Sequence, residues 1–139
     1  MAILQSTKTS SAALLAMAGV GDGQKSATVS SSYAFTAAPA ANDVIQSPLI
    51  QAGSVVQDVM VVLSGFGTGS TVEVGYGDDT DYFVTSTSGV AGGVLRANAA
   101  TARPLVLVTN DTIDVKINGA GATAAGTVDI SVTFVPRNN

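Results

Sequence analysis

The sequence predicts an all-β fold: one antiparallel β-sandwich, jelly-roll-like, of about eight strands, preceded by an irregular N-terminal arm. Three observations point there. From Ala27 onward, apolar residues recur at every second position, the period of a strand with one buried face. The apolar runs repeat at about ten-residue spacings and are separated by Gly-rich turns. No 3.6-residue periodicity lies between them, which argues against helices crossing from strand to strand. The 139 residues suit a single domain, divided into an arm, residues 1–26, and a sandwich, residues 27–139.

The arm lacks strand alternation. Ser10 and Ser11 are placed to cap a short helix over Ala12–Ala18, with Gly19 ending it. Gly19, Gly21 and Gly23 then make a loose link into the body. Lys8 before the apolar stretch Ala12–Val20, with Ala16-Met17-Ala18 imitating a cleavage site, has the outline of a secretory signal. The apolar start Met1-Ala2-Ile3-Leu4 and the alanine-heavy stretch argue instead for a short helix or an adhesive arm. Its apolar side chains are Ile3, Leu4, Leu14, Leu15, Met17 and Val20, and these six are the candidate partner-binding residues. Burying them all gains about 9–18 kcal/mol, whereas ordering some 20 residues of backbone costs roughly 20–40 kcal/mol. The arm is therefore expected to order where neighbouring chains also supply backbone hydrogen bonds.

In the body, Val29, Tyr33 and Phe35 share one strand face, with Ser30, Ser32 and Ala34 on the other. Val44-Ile45 and Leu49-Ile50 flank Pro48, which suggests an edge strand or a bulge. Val55 to Leu63 is a near-continuous apolar run, the pattern of a strand buried on both faces. Gly65 to Gly69 makes a turn. Val72, Val74 and Tyr76 alternate with Thr71, Glu73 and Gly75, and Asp81-Tyr82-Phe83-Val84 starts another short strand. Residues 86–103 read as a long Gly/Ala/Ser excursion. Leu105–Val108 is a compact apolar strand, and Thr109–Thr112 reads as a tight hairpin because Asn and Asp tolerate positive φ. Ile113, Val115 and Ile117 alternate with Asp114 and Lys116. Asn118–Gly121 opens the last connection. Val128, Ile130, Val132 and Phe134 alternate with Thr127, Asp129, Ser131 and Thr133 in the clearest strand of the chain.

Composition narrows the function. Charged residues are 12%, against about 25% in ordinary soluble proteins. Such a neutral skin of Ala, Ser, Thr and Gly fits a protein whose surface ends up against partner chains. The net charge is −4 and the six basic residues are scattered, so no basic stripe for nucleic acid exists. No apolar run reaches the length of a membrane-spanning helix.

Chemistry is sparse. With no His and no Cys, the commonest acid–base group and the thiolate nucleophile are missing. Gly65-Phe66-Gly67-Thr68-Gly69-Ser70 resembles a phosphate loop superficially, but it lacks the Lys-Ser/Thr ending and a following helix. Gly77-Asp78-Asp79-Thr80-Asp81 gathers three carboxylates that could offer oxygen ligands to calcium. Its spacing matches no EF-hand, and Asp and Gly are ordinary turn residues, so a metal-free turn is expected. No catalytic residue, metal or cofactor is predicted.

Several segments together are similar to a known group. Asp43–Ile50, Gly53-Ser54-Val55-Val56-Gln57-Asp58-Val59, Gly67–Asp78 and Asp81-Tyr82-Phe83 resemble virion proteins of tailed bacteriophages, namely head decoration (cement) proteins and related minor structural proteins. The resemblance spans roughly residues 35–135 and rests on turn glycines and β-branched residues. It implies a protein on the capsid exterior that binds the major capsid protein and itself as a homotrimer; the composition above adds the expectation that it is no enzyme and has no nucleic-acid or membrane partner. The alternatives are a tail or head-fibre component, or a carbohydrate-binding adhesin module.

Overall fold

The computed structural model describes residues 3–5, 26–118 and 121–137. Among them are ten strands: β1 (Ile3–Gln5), β2 (Ala27–Ala34), β3 (Asp43–Gln46), β4 (Val55–Leu63), β5 (Thr71–Tyr76), β6 (Asp79–Ser88), β7 (Gly93–Arg96), β8 (Leu105–Val106), β9 (Ile113–Asn118) and β10 (Thr127–Val135). They form two sheets. One has the order β1-β3-β9-β5-β6; the other has the order β2-β10-β4-β7, with β8 also on β4.

The pairing is nested. β5 pairs with β6, β4 with β7 and β8, β3 with β9, and β2 with β10, all antiparallel. The body is thus one long hairpin whose tip is the turn at Gly77-Asp78, wrapped so that β9 also pairs with β5 and β10 with β4. That wrapping is the jelly roll expected from the sequence.

Alternation supplies the core. Ile113, Val115 and Ile117 of β9 and Val128, Ile130, Val132 and Phe134 of β10 are all buried. They meet Val56, Val59, Val61, Val72, Val74 and Phe66 in one continuous cluster. β4 holds its inward residues in phase through a bulge: Thr133 pairs with Asp58 but Phe134 with Val56, leaving Gln57 as the extra residue.

Four expectations need correction. Val55–Leu63 is not buried on both faces; Val56, Val59, Val61 and Leu63 are sealed, while Val55, Met60 and Val62 are half-exposed on the outer side. Its apolar content therefore exceeds what this chain's own core demands. Residues 86–103 are not one excursion: β6 continues to Ser88, and Gly93–Arg96 pairs with β4. Thr109–Thr112 is not a hairpin. Here the chain crosses from β8 in one sheet to β9 in the other, held by the paired amides and carbonyls of Ile50 and Asp111 at 2.8 and 3.0 Å. Positive φ among described non-glycine residues occurs at Asn42, at 66°, and not at Asn110 or Asp111. Finally, the arm is not wholly irregular, because Ile3–Gln5 pairs in parallel with β3. The helix placed over Ala12–Ala18, and the candidate residues Leu14, Leu15, Met17 and Val20, lie outside the described residues.

Candidate functional site

The two outward sheet faces have different chemistry. On β2 and β10 of the β2-β10-β4-β7 sheet, most positions between buried residues carry hydroxyls. Thr28 lies opposite Thr133 and Ser30 opposite Ser131, with hydroxyl oxygens 3.0 and 2.8 Å apart. Ser32 donates to Asp129 in the next rung. Three successive cross-strand rungs thus form a polar surface with one carboxylate, Asp129. Further along the same sheet, Arg96 binds Asp58 at 2.7 Å and lies over the Met60 sulfur at 3.5 Å. Val94, Val106 and Val108 are 60%, 57% and 90% exposed on or just beyond the β7–β8 edge. Val94 stands opposite Val62 and Val106 opposite Val55, towards the two ends of β4.

The outward face of the other sheet is charged. Lys116 of β9 stands across from Glu73 of β5, with Nζ 3.1 Å from the carboxylate, and the Thr80 hydroxyl donates to the same oxygen at 2.8 Å. Burial alone would raise the Glu73 pKa, but the hydrogen bonds from Thr80 and Lys116 and the nearby ammonium charge hold it below the ordinary value.

Beside them is a cavity of about 390 Å³ lined by Val44, Gln46, Gly77, Asp78, Asp114 and Lys116. Asp114 is pushed up to about 6, first by burial and then by the charge of Asp111, against the Thr112 hydroxyl that donates to it at 2.7 Å. The recess therefore changes charge in mildly acid solution. A smaller cavity of about 150 Å³ lies between Asp58, Phe83 and Arg103.

The sequence-predicted candidates are scattered. Asp78 sits in the two-residue turn between Tyr76 and Asp79, with Gly77 at φ 49°, the residue that a hairpin turn of this length needs at positive φ. Asp79 and Asp81 belong to β6. Among the described residues no three His, Cys, Asp or Glu side chains converge as metal ligands. The Gly65–Ser70 segment buries Phe66, whose carbonyl accepts from Thr123 and Ala124 at 2.8 and 3.0 Å. A Cβ at Gly67 would stand 2.0 Å from the Thr123 hydroxyl, so close loop packing accounts for glycine there. Of the six arm residues, Ile3 and Leu4 fall in β1, opposite Val44 and Ile45. Sequence reasoning does not single out the hydroxyl rungs as a surface, although the Thr-x-Ser-x-Ser and Asp-x-Ser-x-Thr alternations announce them. Asp114 offers no such signal, since its burial depends on β3 and the Gly77 turn.

The fold recurs in bacteriophage capsids. A chain of the capsid of Ralstonia phage GP4 matches with a TM-score of 0.71 and 22% identity, over 99% of this chain and 100% of that one. A chain of the cyanophage Pam1 capsid asymmetric unit matches with a TM-score of 0.66 and 19% identity, over 85% and 89%. A chain of the acidic stable capsid of Helicobacter pylori bacteriophage KHP30 matches with a TM-score of 0.59 and 16% identity, over 80% and 88%. At these identities the likeness is one of fold. No protein-family model matches the sequence, and no curated protein does.

Proposed function

We propose that this chain is a bacteriophage virion structural protein, and specifically a decoration protein that binds the major capsid protein on the outer shell and stabilises the lattice. The observation that carries this reading is the end-to-end match with a chain of the Ralstonia phage capsid, in which neither partner has an unmatched domain. The decoration role draws on the sequence resemblance to cement proteins and on the surface. A lattice partner would cover the hydroxyl rungs and the exposed Val94 and Val106 at little desolvation cost, since few charges would be buried.

The oligomer proposed is a homotrimer on threefold or quasi-threefold positions. A weakly charged domain without Trp offers few strong anchoring residues. Joining three weak footprints raises avidity by about 10²–10⁴ when the symmetries match. The arm, through Ile3, Leu4, Leu14, Leu15, Met17 and Val20, is proposed to add contacts to neighbouring subunits. The test is a reconstruction of the phage particle. Jelly-roll density on the outer shell at threefold positions supports the reading, and density in the tail or a fibre refutes it.

A further inference from the structure

We propose that β1 is exchanged between copies: Ile3–Gln5 of one chain completes the β1-β3-β9-β5-β6 sheet of a second copy. β1 is held by one ladder. It pairs with β3, Ile3 opposite Val44 and Gln5 opposite Gln46, and among the described residues no other strand of the sheet borders it. β3 therefore offers an edge whose amides and carbonyls accept any extended segment in that register. Main-chain recognition of this kind does not distinguish the chain's own strand from a neighbour's.

The connection permits exchange. Residues 6–26, 21 in all, separate β1 from β2. Fully extended they span at most about 70 Å, while a body of residues 27–139 is about 35 Å across. The strand of one copy can therefore reach the β3 edge of a copy packed beside it. The ladder is the same in either arrangement, so exchange costs no pairing, and it ties subunits together, which is why swapped elements are a low-cost route to oligomers. The proposal rests on the trimer reading for its second copy and gives a specific form to the contacts proposed there for Ile3 and Leu4.

The chain has no cysteine, so engineered thiols report the pairing cleanly. Gln5→Cys and Gln46→Cys fall at partner positions of the ladder. The full-length double variant is oxidised in concentrated solution, and the two single variants are mixed and oxidised alongside, with products resolved on non-reducing gels. Exchange predicts that the main product of the double variant shifts from one chain to covalently linked chains, and that an equal mixture yields the mixed disulfide well above the twofold ratio to either like pair that random pairing gives. A double variant that runs mainly as a closed single chain overturns the proposal, as does a mixture in the random 1:2:1 proportion of like, mixed and like pairs. If either substitution unfolds the protein by circular dichroism, Ile3→Cys with Val44→Cys reads the same register. Failure to bind capsids would leave this result unchanged, and a closed single chain would remove Ile3 and Leu4 from the proposed subunit contacts without touching the capsid assignment.

Discussion

Val132 and Val59 face each other across the β10–β4 ladder, and both are closed to solvent. The preceding residue, Ser131, is turned outward, its hydroxyl 2.8 Å from that of Ser30. One step along the chain thus separates the densest packing from a solvated face. Val132→Asp would place a carboxylate among buried apolar residues and is expected to cost several kcal/mol and unfold the domain. Ser131→Asp is expected to cost less than about 1 kcal/mol. Urea titrations of both variants check this; equal damage would contradict the alternation.

Asp114 sets a pH dependence. Its folded-state value, about 6, lies above the unfolded 3.8, so folding takes up a proton between the two. The contribution is a cost when Asp114 is charged: stability from this group rises as pH falls through 6 and is complete below 3.8. Asp114→Asn keeps an oxygen for the Thr112 hydroxyl and removes the charge. It is expected to stabilise the protein at pH 7–8 by roughly 1–2 kcal/mol after allowance for solvent screening, and by nothing measurable at about pH 3. Parallel melts of the variant and the natural protein across this range give the answer, and equal separation at both ends would show that Asp114 does not set the dependence.

Gly75 tests the close approach within β5 and β6. A Cβ there would stand 1.9 Å from the Asp79 carbonyl oxygen and 2.5 Å from the Thr80 carbonyl carbon, both backbone atoms that cannot swing aside. Gly75→Ala is expected to lose about 3 kcal/mol or more. Gly77→Ala, at φ 49° with the nearest outside atom 3.3 Å away, should lose about 1 kcal/mol. Thermal melts rank the two, and a harmless Gly75→Ala would mean the hairpin is built differently.

The carboxylates of Asp78, Asp79 and Asp81 are divided between a turn and a strand. Melting curves with calcium and after chelation are therefore expected to coincide. A ligand bound only by the folded state must raise the melting temperature, so a calcium-dependent rise would identify a site.

Much of this architecture is legible in the residues themselves. The Val128–Phe134 and Ile113–Ile117 alternations specify inward faces unambiguously, because period two matches the pleat. What escapes is whatever depends on partners distant in sequence. Gly93–Arg96 carries no alternating apolar pattern, and β7 forms there because β4 presents an edge to it. The Asn110-Asp111 pair has hairpin chemistry, yet the bridge to Ile50 commits the chain to crossing between sheets. Val55, Met60 and Val62 read as core from their composition but lie on an outer face. The alternation that marks the hydroxyl rungs shows polarity without showing what it meets.

Whether this chain docks on a capsid is read by co-sedimentation with purified, undecorated phage heads, using full-length protein and a form lacking residues 2–20. The full-length protein is expected to pellet with heads, and the truncated protein, still folded by circular dichroism, to pellet poorly. Equal binding by both forms would take the arm out of docking, and a full-length protein that pellets with tails but never with heads would contradict the capsid assignment itself.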